Sequence, residues 1–361
     1  MGWSTHIAQN DTLRLVLFGL AVFLLFYLAR DLRINNAESI IVPDETVLFL
    51  DEPTDLDGLI GRFADLETEF DESELRWASN LLGWRNFNAG RYEIGGNHSY
   101  GELLSRLALG LQDHTPVMIR PGISIERLSS DLGRQLRADS AQFAAIFADT
   151  SQLVRDTGLE PMALFSRMLP DTYNIFWTAE PARVIWRILQ EFDQRVSRNY
   201  SDRLDESRFS LDEYLILASI VEWEARERGE KPRIAGLYFN RLQRNMRLQA
   251  DPTVIYALGE HRRLLFEDYR IEHPYNTYLI DGLPPGPITN PDIHSIRAVL
   301  NPESHNYLYM VASPEGGHVF TETFAEHQVA SAEWRRWIRE QYRIQQQRMR
   351  EMSEMEAGDR P

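Results

Sequence analysis

YLILASIVEWEAR, residues 214–226, runs eight uncharged residues directly into two glutamates. Only Trp223 separates Glu222 from Glu224. Ser210 with Glu213 three residues later forms a capping-box pattern just ahead of the apolar run. Gly229 offers a stop. The pattern predicts one helix over 211–228. Positions 222 and 224 of a helix point about 200° apart, so the two carboxylates cannot face each other. Helical side chains lean toward the preceding turn. Glu222 then leans over Ala218 and Ser219, on the side of Arg226, and Glu224 over Ile220 and Val221, with Leu217 a turn further back. A carboxyl on that oily side is desolvated, which favours its protonated form. Acid-assisted cleavage of a glycosidic bond needs such a group. The alternative is a pair of surface glutamates, bound to Arg226 and Arg228 four residues on.

The surrounding chain sets limits on what such a helix can serve. A chain of 361 residues can bury a sizeable core and hold more than one domain. The net charge of −16 argues against non-specific binding to nucleic acid. Without cysteine there are no disulfides, thiolate metal sites or cysteine nucleophiles. Lys231 is the only lysine; every other cationic side chain of this class is arginine. The histidines show no His-x-x-x-His spacing, so His318 and His327 read as structural or rim residues, and neither a metal nor a cofactor is expected.

At the N-terminus, LVLFGLAVFLLFYLA (15–29) carries no charge, and Leu13 extends it past Arg14. It is a short membrane-spanning segment with no small-residue cleavage site after it, so residues 12–29 read as an uncleaved anchor and 1–11 as a cytoplasmic N-terminus. The arginines flanking it, Arg14 before and Arg30 and Arg33 after, mark orientation poorly and slightly favour the wrong side for an exported domain. Beyond the anchor the pattern predicts an α+β protein. TVLFL (46–50) reads as a strand, FNAGRYEI (87–94) as a turn entering a strand, and SYGELLSRLALGL (99–111) as a helix capped by Ser99. TPVMIRPG (115–122) reads as strand and turn, and SIERLSSDLGRQL (124–136) as a further helix. AEWRRWIREQYRIQQQRMR is a long helix near the end, and residues 346–361 form a polar tail expected to be disordered.

Downstream of the glutamates come three dense motifs: RLQADPTVIY (247–256), YNTY (275–278) and GLPPGPI (282–288). With LASIVEWEAR, and with LPDTY (169–173) upstream, they resemble the catalytic domain of the MltG (YceG-like) family, the endolytic murein transglycosylases. The resemblance covers roughly 85–340 and is strongest over 217–327. AGRYEI resembles a strand of the family's LysM-like N-terminal module. The resemblance implies a LysM-like module over 40–111 and a catalytic domain over 112–345. It also implies a single-pass inner-membrane protein whose body lies in the periplasm. Two departures stand out. Phe165 and Ser166 occupy positions where the family has Glu-Gly, and RPG (120–122) replaces its Pro-Glu-Gly turn, so one wall of the glycan cleft differs.

The activity implied is lytic cleavage of the MurNAc-β-1,4-GlcNAc bond, leaving a 1,6-anhydroMurNAc end. The essential acid of the family is the second glutamate of the pair, which here is Glu224. Gln249 and Asp251 are candidates to stabilise the developing positive charge, and Tyr275 and Asn276 to position acetamido groups. Each has a structural alternative, Asp251 as a helix cap and Asn276 as a turn former. Two rival functions remain open: a hydrolytic muramidase using Glu224 with Asp251, and a non-catalytic, membrane-anchored peptidoglycan-binding scaffold. The expected partners are glycan strands and the membrane, with glycan-polymerising synthases as a family-level expectation.

Overall fold

The computed structural model describes residues 4–225 and 227–358, with side-chain surroundings for 13–225 and 227–349. It is a mixed α+β protein of two compact units. Met1–Val117, Gln135–Ala138 and Asn174–Ala179 make the first, and the remaining residues the second.

The first unit begins with one uninterrupted helix, Ser4–Ile34. Its Leu13–Ile34 portion has 22 residues, a mean hydropathy of 2.1 and no buried surface. At 1.5 Å per residue it spans about 33 Å, enough for the hydrocarbon core of a bilayer. The helix outlasts the predicted anchor by five residues because its last turn is folded into the unit. Ile34 is buried, and the Arg33 guanidinium pairs with Glu74 and lies 4.1 Å from the centre of the Trp77 ring.

Short strands follow. Ile40–Val42 pairs antiparallel with Glu69–Phe70 on one side and Gly96–His98 on the other. Val47–Leu50 pairs with Gly90–Glu93, in register from Val47↔Glu93 to Leu50↔Gly90. Strand alternation turns Leu48 and Leu50 inward and Phe49 outward. Helices Leu56–Asp65, Glu72–Leu82 and Tyr100–Ala108 start at Asp55, Asp71 and Ser99, each accepting a backbone N–H at its cap. Leu59, Phe63, Leu75, Leu103 and Leu107 meet Ile40, Leu48, Phe87 and Tyr92 in a fully buried core.

The second unit is organised around the Leu211–Glu224 helix, the acid helix. The capping box forms: Glu213 N–H donates to Ser210 Oγ at 3.3 Å, and Ser210 N–H to Glu213 Oε2 at 2.7 Å. Every residue from Tyr214 to Val221 is buried. Helices Lys231–Gln243, Asp251–Leu258, Ile293–Leu300 and Pro161–Ser166 surround it. A hairpin, Tyr309–Ala312 with His318–Thr321, and a last helix, Phe324–Gly358, complete the unit. Tyr309 packs on Phe324 and His327 at the start of that helix, and Trp334 stacks on Trp337 with ring centres 5.0 Å apart. The helix runs through 346–358, where composition predicts a disordered tail; Met, Glu, Gln and Arg are all good helix formers.

The acid helix is shorter than the predicted 211–228. It stops at Glu224, and Ala225 continues in extended conformation (φ −96°, ψ 113°). Nothing in the local residue preferences ends it there. The chain turns away to place Ala225 in the core and to reach the short turn at Arg228–Glu230.

Candidate active site

Glu224 is the last residue of the acid helix, so its side chain leaves the core at the helix end. The Tyr238 hydroxyl, from the Lys231–Gln243 helix, donates to Glu224 Oε1 at 2.8 Å. Oε2 has no hydrogen-bond partner among the described residues. Burial pushes the carboxyl up to about 7, against the Tyr238 hydrogen bond and Arg241, which pull it down; the Asp251 charge adds to the rise. The residue keeps a partly open face, so near neutral pH it is a carboxyl that can both give and take a proton and that a ligand can reach.

Arg241 sits one turn beyond Tyr238 and is buried. Its Nε donates to the Leu308 carbonyl at 2.6 Å and its Nη1 to the Leu248 carbonyl at 2.5 Å. It therefore binds the stretch that leads into Gln249 and Asp251.

Asp251 is the first residue of the Asp251–Leu258 helix, and the cap position belongs to Ala250, which makes no side-chain cap. The helix-cap alternative for Asp251 thus does not hold. Its carboxylate instead accepts the Tyr278 hydroxyl at 2.6 Å and the Tyr269 hydroxyl at 3.3 Å. Asp251 is exposed and within electrostatic reach of Glu224. Two phenols held against a carboxylate resist ionisation: Tyr269 is raised to about 12 and Tyr278 further, with burial the first cause in each case.

Gln249 is exposed, and its backbone sits in the left-handed region at φ 51°. Its N–H donates to the Thr277 carbonyl at 3.1 Å. Thr277 Oγ1 takes the next N–H, from Ala250, at 3.0 Å and lies 2.8 Å from Thr253 Oγ1. The RLQADPT and YNTY motifs are thus laced together through buried threonines, and the lacing holds Gln249 in a conformation that costs about 1 kcal/mol or more for a residue with a Cβ.

The YNTY residues divide by role. Tyr278, not singled out from sequence, reaches Asp251. Tyr275 packs on Tyr256 with ring centres 4.5 Å apart. A Cβ at Gly286 would come 2.6 Å from its hydroxyl, so the proline-rich loop needs glycine there. Asn276 is fully buried and its amide is used internally: Nδ2 donates to the Tyr269 and Ile271 carbonyls at 3.1 and 2.9 Å, and Oδ1 accepts Tyr278 N–H at 3.0 Å. The expectation that Asn276 positions an acetamido group is corrected here: it holds the turn that presents Tyr278.

A groove of about 560 Å³ lies within the second unit. It runs beside Ile255, one turn past Asp251 on the same helix, and Gly259, which ends that helix, with Trp223, Tyr256, His261 and Phe165 among its walls. Trp223 lies against His261, with ring centres 4.7 Å apart, and its Nε1 donates to the Gly122 carbonyl at 3.3 Å. The 120–123 segment forming one wall is pinned by Asn290, which is fully buried. Its Nδ2 donates to the Arg120 and Met168 carbonyls at 2.9 and 3.1 Å, and its Oδ1 accepts Ile123 N–H at 3.1 Å. Both sequence departures from the family therefore fall on this groove: Phe165 in its wall and the RPG turn at its edge.

Glu222 is not the surface residue expected from its helical position. Its Oε2 accepts Lys231 Nζ at 3.0 Å, Asp292 N–H at 3.0 Å and Ser295 Oγ–H at 2.6 Å. Its expected partner Arg226 lies outside the described residues. Glu224 likewise goes to Tyr238 rather than Arg228, because the helix ends before a pairing at four residues can form.

Tyr238, Tyr278, Asn290 and Lys231 were the functional or supporting residues that sequence reasoning missed. Only Lys231 carried a signal, as the one lysine of an otherwise arginine-only chain. Among the described residues no group of three or more histidines and carboxylates is placed to hold a metal.

Glu224, at the end of a buried helix, directly follows Trp223, which forms part of the groove wall. A model of the YceG-like family matches residues 64–333, and the chain belongs to that family. An endolytic murein transglycosylase of Bacillus subtilis (strain 168) is 42% identical over 278 residues, covering 73% of this chain and 77% of that protein. One from Streptococcus pneumoniae (strain D39) is 28% identical over 270 residues, and this chain spans about half its length (48%). A crystal structure of a yceG-like protein from Listeria monocytogenes superposes with a TM-score of 0.54 at 26% identity, covering 79% of this chain and 99% of that one.

Proposed function

We propose that this protein is a membrane-anchored endolytic lytic transglycosylase acting on peptidoglycan glycan strands, with Glu224 as general acid and then general base. The single observation that carries this reading is the Glu224 carboxyl at the end of the buried helix, its proton affinity raised to about 7 by burial, with Oε1 held by Tyr238 and Oε2 without a hydrogen-bond partner among the described residues. The Bacillus relative's name supplies the reaction class.

Glu224 protonates the glycosidic oxygen leaving as the GlcNAc 4-hydroxyl. The C1–O bond breaks and positive charge develops at C1 of MurNAc. The C6 hydroxyl of the same sugar attacks C1, and its proton returns to Glu224, closing the 1,6-anhydro ring with no net change in protons. Because the nucleophile comes from the substrate, one carboxyl serves both steps, where a hydrolase uses two. Asp251 supplies negative charge beside the reacting centre, oriented by Tyr278 and Tyr269. Gln249, exposed two residues before Asp251, is the proposed second polar group beside the sugar, Trp223 offers an aromatic platform for a sugar face, and Tyr275 packs behind Tyr256 of the groove wall.

The membrane helix tethers the enzyme, and we place the rest of the first unit and all of the second on the periplasmic side, with residues 40–111 serving as a LysM-like glycan-binding module. Mass spectrometry of muropeptides after digestion of purified peptidoglycan is the decisive test. Anhydro ends support the reading, reducing ends would instead indicate hydrolysis by Glu224 with Asp251, and intact strands would indicate a scaffold.

A further inference from the structure

Glu224 occupies the weakest place in its helix. The last bond of the helix is Ala225 N–H to the Val221 carbonyl at 3.1 Å, and the chain leaves in extended form at that same residue. A proton donor must nevertheless be placed to within about half an ångström of its target. Among the described residues Tyr238 is the one hydrogen-bond partner of the Glu224 side chain, and Tyr238 belongs to another helix. Something must therefore fix the two helix ends against each other.

The Glu222 cluster does so. One oxygen, Oε2, collects three donors from two other elements: Lys231 Nζ, Asp292 N–H and Ser295 Oγ–H. Lys231 Nζ also donates to Asp292 Oδ1 at 3.0 Å, and Asp292 Oδ1 caps the Ile293–Leu300 helix by accepting Ser295 N–H at 2.7 Å. All three charged side chains are shielded, with exposures of 4% for Lys231, 10% for Glu222 and 15% for Asp292. Three helix ends thus meet at one point, two residues from the acid.

The spacing on the second helix makes the link specific. Lys231 opens that helix, and Tyr238 lies seven residues on, two turns along nearly the same stripe. Lys231 meets Glu222 while Tyr238 meets Glu224, so two contacts between the same pair of helices set both their rotation and their register. The residue types fit. A compact ammonium with three donors can sit between two carboxylates, whereas a planar guanidinium needs more room. The chain uses arginine everywhere else and lysine only here.

We infer that the buried Glu222–Lys231–Asp292 cluster, with Ser295, is the positioning device for Glu224: it sets where the acid's carboxyl stands relative to Tyr238 and to the glycosidic oxygen. This rests on the reading of Glu224 as the acid. Glu222 transfers no proton and touches no substrate.

The test uses the full-length protein in detergent micelles with purified peptidoglycan. Kinetics, pH profile and thermal midpoint are measured for Glu222→Gln, Lys231→Met and Ser295→Ala. Misplacement of a catalytic group by about 1 Å costs on the order of a hundredfold. For Glu222→Gln and Lys231→Met the expected result is therefore a kcat lower by about ten- to a hundredfold at a nearly unchanged KM. The alkaline limb should also move to lower pH, as the loosened Glu224 gains water. Ser295→Ala, which removes one neutral donor, should show the same limb shift with a smaller loss, and it decides the matter if the charged-site variants do not fold. Folded variants with native kcat and a native pH limb would overturn the inference. So would a loss confined to the thermal midpoint. Glu224→Gln run in parallel separates the two ideas: full activity there removes Glu224 as the acid, whatever the cluster variants do.

Discussion

The Tyr238 hydroxyl meets Glu224 Oε1 at 2.8 Å across two helices, and this contact lowers the proton affinity that burial raises. Burial wins, leaving the carboxyl at about 7 rather than the usual 4.5. The bond thus tempers the acid while fixing which oxygen is left for a ligand. Tyr238→Phe should raise the apparent pKa of the acid and shift the alkaline limb of the rate profile upward. A limb that stays put would show that the hydroxyl does not touch the working carboxyl.

Glu224→Gln should abolish cleavage, since an amide cannot give a proton to the leaving oxygen. Loss of a general acid–base costs about a hundred- to ten-thousandfold, and more where one group serves two steps. Folding should survive, because glutamine is nearly isosteric and can still accept from Tyr238. Anhydro-muropeptide yield on purified peptidoglycan reads this directly.

Native activity should decline as pH rises through about 7, because the proton donor is lost. Stability follows the same sign. A carboxyl whose folded pKa exceeds its unfolded one contributes stability that is fully present below about 4.5 and lost as pH rises through about 7. The difference amounts to about 3 kcal/mol. Glu224→Gln has no such dependence, so its thermal midpoint should gain on the native protein between pH 5 and pH 8. Parallel melting curves across that range check it.

Asp251 is exposed and caps nothing, so Asp251→Ala should leave the thermal midpoint within a few degrees while turnover falls strongly. Tyr278→Phe should reproduce part of that loss by letting the carboxylate swing free. A variant that melts early but turns over normally would return Asp251 to a structural role.

Gln249 makes an opposing pair of predictions. Its backbone is left-handed, so Gln249→Gly should relieve strain and raise stability by about 1 kcal/mol, less whatever glycine adds to the unfolded chain's entropy. Turnover should drop if the amide meets the sugar. Denaturant titration and kinetics on the same preparation distinguish the two effects.

The N-terminal apolar helix enters the first unit without a linker. A chain starting at residue 30 retains Arg33 and Ile34 and should be soluble and fully folded. One starting at residue 36 loses the Arg33–Glu74 pair, the stacking on Trp77 and the buried Ile34, and should melt several degrees lower. Reporter fusions at the C-terminus test the periplasmic placement: a periplasm-only reporter should be active there, and an active cytoplasmic one would reverse the topology.

Much of this protein could be read along the chain, because those features depend on near neighbours. The apolar run past residue 13 makes a helix long and apolar enough to cross a membrane by itself. Ser210 with Glu213 sets the start of the acid helix, and Ser99 caps its own helix. What the tertiary structure decided are the matters settled by distant partners. Residue preferences would carry the acid helix on to 228, yet it ends at Glu224, where packing takes Ala225 into the core. Glu222 is anchored by Asp292 and Ser295, some seventy positions away, so helical spacing alone could only assign it to the surface. Asn276 and Tyr278 stand two apart in one motif, and which of them turns inward depends on the carbonyls of Tyr269 and Ile271 and on the carboxylate of Asp251. A sequence fixes a residue's chemistry and its near neighbours. Its protonation and its free lone pairs depend on what the fold brings against it.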